Sequence, residues 1–204
     1  MNFHLPYSNV FSAAPDFVMG LAFLATWIDP ASIGEDMVSS LSQIMILEFI
    51  IIHSAGFMTS IIYGNAPKGK KIKILFGLGL FYSVFVLGFS FGFRSWWPLI
   101  AFGGLMFNRM LSVLTGQAEQ GKENEFIMNM WGVNVACYLV SLFAVLLIPL
   151  PTFGVSSNAL SHLNMGGDFI DQPHKMIAWG FLYFSLIGLY ELKMRRGNLE
   201  KVMV

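Results

Sequence analysis

The stretch VSSLSQIMILEFIIIHSAGFMTSIIY, residues 38–63, decides what kind of protein this is. As a helix rising 1.5 Å per residue it would run about 39 Å. That exceeds the roughly 30 Å hydrocarbon core of a bilayer. Its apolar residues surround the axis instead of forming one stripe, which is the pattern of a helix in lipid or one wholly buried. Yet Glu48 and His53 sit in its middle. An ionised carboxylate at mid-bilayer costs on the order of several kcal/mol unless it is paired or hydrated. Both residues therefore call for a partner, a proton or water.

The rest of the chain repeats the pattern. Of the 204 residues 55% are hydrophobic and only 12% are charged. A soluble domain is nearer about one-quarter charged, so the balance favours a membrane protein. Runs of near-spanning length fall at roughly 10–28, 38–63, 72–93, 96–115, 126–148 and 176–192. The first is the weakest, because Pro15 and Asp16 interrupt it; a short or re-entrant helix is the other reading there. The sixth reads MIAWGFLYFSLIGLYEL. In the fourth, Pro98 suits a first helical turn, where its missing N–H costs nothing. A soluble all-α protein with buried helices is the competing reading, and the number and length of the apolar runs count against it. The expected fold is all-α: one integral membrane helical bundle of about six transmembrane helices, with residues 1–204 as a single transmembrane domain. Helices in lipid satisfy their own backbone groups, which no open sheet can do.

Charge sets the expected orientation. Lys68, Lys70, Lys71 and Lys73 follow the second run, Arg109 and Lys122 fall around the gap after the fourth, and Lys193, Arg195, Arg196 and Lys201 follow the sixth. With six crossings these ten of the twelve basic residues share one side. Lys and Arg near helix ends mark the cytoplasmic side, so both termini are expected in the cytoplasm. Trp27, Trp96 and Trp97 then lie at the outer boundary as an aromatic belt. The expected location is a plasma (inner) membrane. The loop 149–175 lies outside and is rich in polar residues, with a short interfacial helix expected around 156–164. The tail KMRRGNLEK reads as a topology signal that also touches anionic headgroups. No basic segment, apolar stretch and small-residue cleavage site open the chain, so no cleaved signal peptide is expected. Zero net charge gives no field for nucleic acid. Cys137, the single cysteine, cannot form an intrachain disulfide.

Depth arithmetic then assembles a candidate site. From residue 38 at the outer face, Glu48 lies about 15 Å deep and His53 about 22 Å deep. Arg109 lies about 20 Å along the fourth helix, beside Asn108. Asn129 and Asn134 approach the same level on the fifth helix, and Glu191 sits at the inner end of the sixth. The expected proton- or ion-handling cluster is Glu48, His53, Arg109, Asn108, Asn134 and Glu191. Burial favours the neutral forms of carboxyl and imidazole, a property that a proton relay uses. A buried Glu48–Arg109 pair that only fixes helix register is the bland alternative. Glu48 and His53 are about 140° apart around a helix, so they face different neighbours.

Other signals are weaker. Gly56, Ser60 and Gly64 form a small-xxx-small face, with Gly88 and Gly92 offering a matching groove for close packing. GFSFG, residues 88–92, matches the hydrolase elbow as a string, but the elbow needs a strand before its serine and a helix after it. An enzyme built on Ser90 would also need a histidine, and His162 or His174 are the candidates at the outer face. Bis-histidine haem needs two facing helical histidines, and only His53 is intramembrane, with His4 and His174 outside the runs. His162, Asp168, Asp171 and His174 lack the tight spacing of a metal site, so no metal is expected, and the sequence implies no particular cofactor and leaves its identity open. The functional expectation is a small proton- or cation-coupled carrier or channel-like subunit, expected to form a homo-oligomer. The alternatives are a membrane-embedded enzyme or haem-binding protein, or a structural or sensing subunit that recruits a cytoplasmic partner through its basic loops.

Overall fold

The computed structural model describes residues 8–34, 36–115, 121–163 and 166–202, and His4 and Glu35 lie outside them. Its elements are α1 (Ser8–Ile28), α2 (Pro30–Ile33), α3 (Met37–Tyr63), α4 (Lys68–Gly92), α5 (Trp97–Thr115), α6 (Gly121–Leu147), α7 (Asp168–Asp171) and α8 (Pro173–Val202). A 3-10 turn spans Ser161–Leu163. No strand occurs among the described residues.

Among the described residues, four helical segments are long and apolar enough to cross a membrane: Met37–Tyr63, Lys68–Gly92, Trp97–Thr115 and Ile127–Leu147. These correspond to the second to fifth expected runs. In the first, the apolar part is the shorter Ala13–Ile28. The helix itself is continuous through Pro15. The sixth run lies within α8, which is not among the four; its apolar part is confined between Lys175 and Lys193.

The basic segment expected as a loop is helical. Pro67, extended at φ −63° and ψ 148°, sets the start of α4, and lysine is a fair helix former. Lys71 Nζ donates to the Ile62 carbonyl at 2.7 Å. The last four carbonyls of a helix have no partner of their own, so Lys71 caps α3 while it opens α4. Residues 64–67 make the turn between them.

The end of α4 is closed by local backbone bonds. Arg94 N donates to the Phe91 carbonyl at 3.2 Å and Ser95 N to the Ser90 carbonyl at 2.9 Å, the paired bonds of a Schellman motif. Arg94 takes φ 53° there, a left-handed position that glycine usually fills. The expected interfacial helix near 156–164 is replaced by turns and the 3-10 segment, and α7 was not expected.

The chain divides into two compact units, residues 1–41 with 137–204, and residues 42–136. In the first unit α1 packs along α8, with the Phe23 and Phe184 rings stacked at 5.6 Å. Trp27 Nε1 donates to the Pro151 carbonyl at 3.0 Å, tying the segment after α6 to the end of α1. In the second unit Leu47, Met58, Leu75, Tyr82, Phe102 and Met106 belong to one buried core.

The expected glycine groove is corrected here. No neighbour lies within 4 Å of where a Cβ at Gly88 would sit. Gly79 makes the close approach on α4 instead: a Cβ added there would lie 2.8 Å from Met106 Cε. Gly56 does pack closely, but against a side chain of α6 and not against α4.

Candidate functional site

Within the second unit, α3, α5 and α6 line a cavity of about 270 Å³. From α3 come Glu48, Ile51, Ile52, Ala55 and Thr59; from α5, Arg109; from α6, Ile127, Met130, Trp131 and Asn134. The contributions of α3 and α6 each follow helical spacing. On α3 the steps from Glu48 are three, four, seven and eleven; on α6 the steps from Ile127 are three, four and seven. Residues so spaced share one helix face.

One wall is built from a glycine. A Cβ on Gly56 would lie 2.6 Å from Trp131 Cζ2, so only glycine lets the indole ring lie against the backbone of α3. The carbonyl that Gly56 N–H would bond in a regular helix is that of Ile52, four residues earlier. Trp131 Nε1 donates to that same carbonyl at 2.8 Å. A carbonyl oxygen has a second lone pair to offer, so the indole adds a bond without breaking the helix.

The polar groups are the notable part of the lining. Arg109 is half-buried, and its Nε is buried without a hydrogen-bond partner. Asn134 Oδ1 is likewise buried and without one. An unsatisfied buried polar atom costs about 1–3 kcal/mol. One orphan is a donor and the other an acceptor. With the half-buried Glu48, the cavity holds one acid, one base and one amide. It can seat polar guests, water included, and offers a proton site on a carboxylate.

Three of the six residues singled out from sequence therefore line one cavity: Glu48, Arg109 and Asn134. The other three do not line it. His53 faces outward on α3 and is exposed. Its Nδ1 shares a 3.0 Å hydrogen bond with the Tyr82 hydroxyl, and its ring stacks on Phe49 at 5.8 Å. The physical reason is the 140° turn between it and Glu48. Asn108 is exposed on α5, one residue and about 100° from Arg109. Asn129 is exposed too. Glu191 belongs to α8 in the first unit, where its Oε2 is buried without a hydrogen-bond partner. Thr59 and Trp131 were missed, although extending the Glu48 face by eleven residues and the Asn134 face back by three would have found them.

The remaining candidates resolve simply. Ser90 is fully buried inside α4 with an unpartnered Oγ, so it lacks both the strand-to-helix turn and the exposure of a hydrolase nucleophile. His162, Asp168 and Asp171 are exposed, whereas His174 is buried. Among the described residues no three His, Cys, Asp or Glu side chains are grouped to hold a metal. Comparison with protein-family models, with curated proteins and with solved structures gives no match.

Proposed function

We propose that the chain is a small multi-pass membrane carrier or channel-like subunit in which the cavity of α3, α5 and α6 handles a proton or cation. Glu48 is the proton- or cation-accepting group, Arg109 its counter-charge and Asn134 a neutral ligand. The observation that carries this reading is the pair of orphaned buried polar atoms, Arg109 Nε and Asn134 Oδ1, in a cavity that also contains Glu48. A purely structural charge cluster tends to satisfy its polar atoms, because leaving them unmade is costly. Charges within membrane helices also mark ion and substrate pathways by default.

The topology in this reading has six crossings, with α1 and α8 completing the set, one transmembrane domain and both termini in the cytoplasm. The gathering on one side of nine basic residues besides Arg109 supports it. Few helices surround the cavity, so a homo-oligomer completes the pathway. His53 and Asn108 have no role in it.

The test is flux in proteoliposomes. Glu48→Gln abolishes pH-dependent flux while the protein still inserts, and Asn108→Ala, on the exposed face of α5, leaves flux unchanged. Normal flux from Glu48→Gln removes the reading.

A further inference from the structure

The charge balance of the cavity bears on what it carries, and this inference rests on the carrier reading above. Of the guests that reading allows, a bare metal cation is the least favoured: beside Glu48 it is attracted by the carboxylate and repelled by Arg109 in the same space. The two Coulomb terms have opposite signs, so little remains to offset the cost of dehydrating the ion. A lone anion meets the reverse problem. A guest bearing both charges meets neither, because each end faces its opposite and the filled cavity keeps its net charge.

The orphaned atoms point the same way. Arg109 Nε–H needs an acceptor and Asn134 Oδ1 needs a donor. A carboxylate supplies only acceptors and an ammonium only donors. A guest carrying both groups satisfies both atoms at once, which neither group alone achieves.

Size and lining narrow the guest further. A volume of about 270 Å³ lies just below the range of about 300–1,000 Å³ for drug-sized ligands. Ile51, Ile127 and the Trp131 ring line it and suit a short apolar side chain.

We propose that the cavity binds a small zwitterionic solute of the neutral amino-acid type, with its carboxylate on Arg109 and its ammonium between Asn134 and Glu48. The probes are L-valine, valinamide, which keeps only the positive group, and 3-methylbutanoate, which keeps only the negative one and is no larger than valine. Binding to the purified full chain in nanodiscs is measured by titration and by the ligand-induced rise in thermal stability. L-Valine binds at least about ten-fold more tightly than either analogue. Arg109→Gln erases its advantage over valinamide, and Arg109→Lys, which keeps the charge, retains part of it. Equal binding of valinamide and L-valine overturns the inference, as does a lack of saturable binding by all three. Proton flux in proteoliposomes of the same protein reads the carrier function separately. Flux that depends on Glu48 without valine binding sinks the zwitterion and spares the carrier. Valine binding without any flux sinks the carrier and spares the zwitterion.

Discussion

Gly56→Ala tests the contact on which one cavity wall depends. The added Cβ would sit 2.6 Å from Trp131 Cζ2 and 2.7 Å from Cε2, closer than real Cβ atoms come to their neighbours, so the indole has to move. Overpacking of this kind costs about 1–3 kcal/mol. Displacing the ring also loses the bond from Nε1 to the Ile52 carbonyl, worth about 0.5–1.5 kcal/mol. Against this, alanine gains up to about 1 kcal/mol over glycine in a helix. With the full propensity gain the net destabilisation is about 0.5–3.5 kcal/mol. In a chain of this length each kcal/mol moves the melting temperature by about 2–4 °C, so a fall of about 1–14 °C is expected in detergent. Gly88→Ala is the control, because nothing lies within 4 Å of its added Cβ. It keeps the propensity gain alone and is neutral or slightly stabilising. A double-mutant cycle closes the test: in a Trp131→Leu background, Gly56→Ala loses most of its cost. Should Gly56→Ala melt with Gly88→Ala, or keep its full cost without the indole, the account of the wall is wrong.

Other perturbations follow from single contacts. Lys71→Met frees the Ile62 carbonyl and lowers stability in detergent by about 1–2 kcal/mol, whereas Lys70→Met, at an exposed position, changes it little. His53→Phe leaves pH-dependent flux intact, since the imidazole faces away from the cavity; loss of flux there would return His53 to the pathway. Burial first, and the neighbouring Lys175 second, hold the His174 imidazole below its usual value of 6.5. The unfolded chain therefore takes the proton first as the pH falls, and stability drops from about pH 6.5 down to the folded pKa and levels off below it. A melting series across that window shows the slope in the native chain and its absence in His174→Gln.

Much of the fold was legible because a bilayer imposes a length on apolar runs, and length survives folding. The second to fifth runs reappear as helices within a few residues of their expected ends. Where ends moved, local chemistry moved them: the lysines after Pro67 extended α4 backward because one of them caps α3. The site was legible in depth and only in part in angle: the turn of about 140° between Glu48 and His53 was readable, but not which of the two faces the partners. Counting 1.5 Å per residue brought Glu48, Arg109 and Asn134 to one level, and they line one cavity. The same count placed His53 and Asn108 at that level too, yet rotation about their helices points them elsewhere. Depth is a property of one helix and its sequence. Facing is set by the neighbours, and a run that is apolar all round gives no stripe from which to read them.

The glycine and the cavity are parts of one arrangement. Gly56 admits the Trp131 ring, the ring bonds the Ile52 carbonyl, and both Ile52 and Trp131 line the space that holds Arg109 and Glu48. Displacing the ring therefore changes the shape of the site without touching a charged residue. If the cavity seats a guest, Gly56→Ala weakens its binding along with lowering stability. A Gly56→Ala protein that melts early but binds L-valine as tightly as the native chain would separate the wall from the site. That result would leave Trp131 as packing alone.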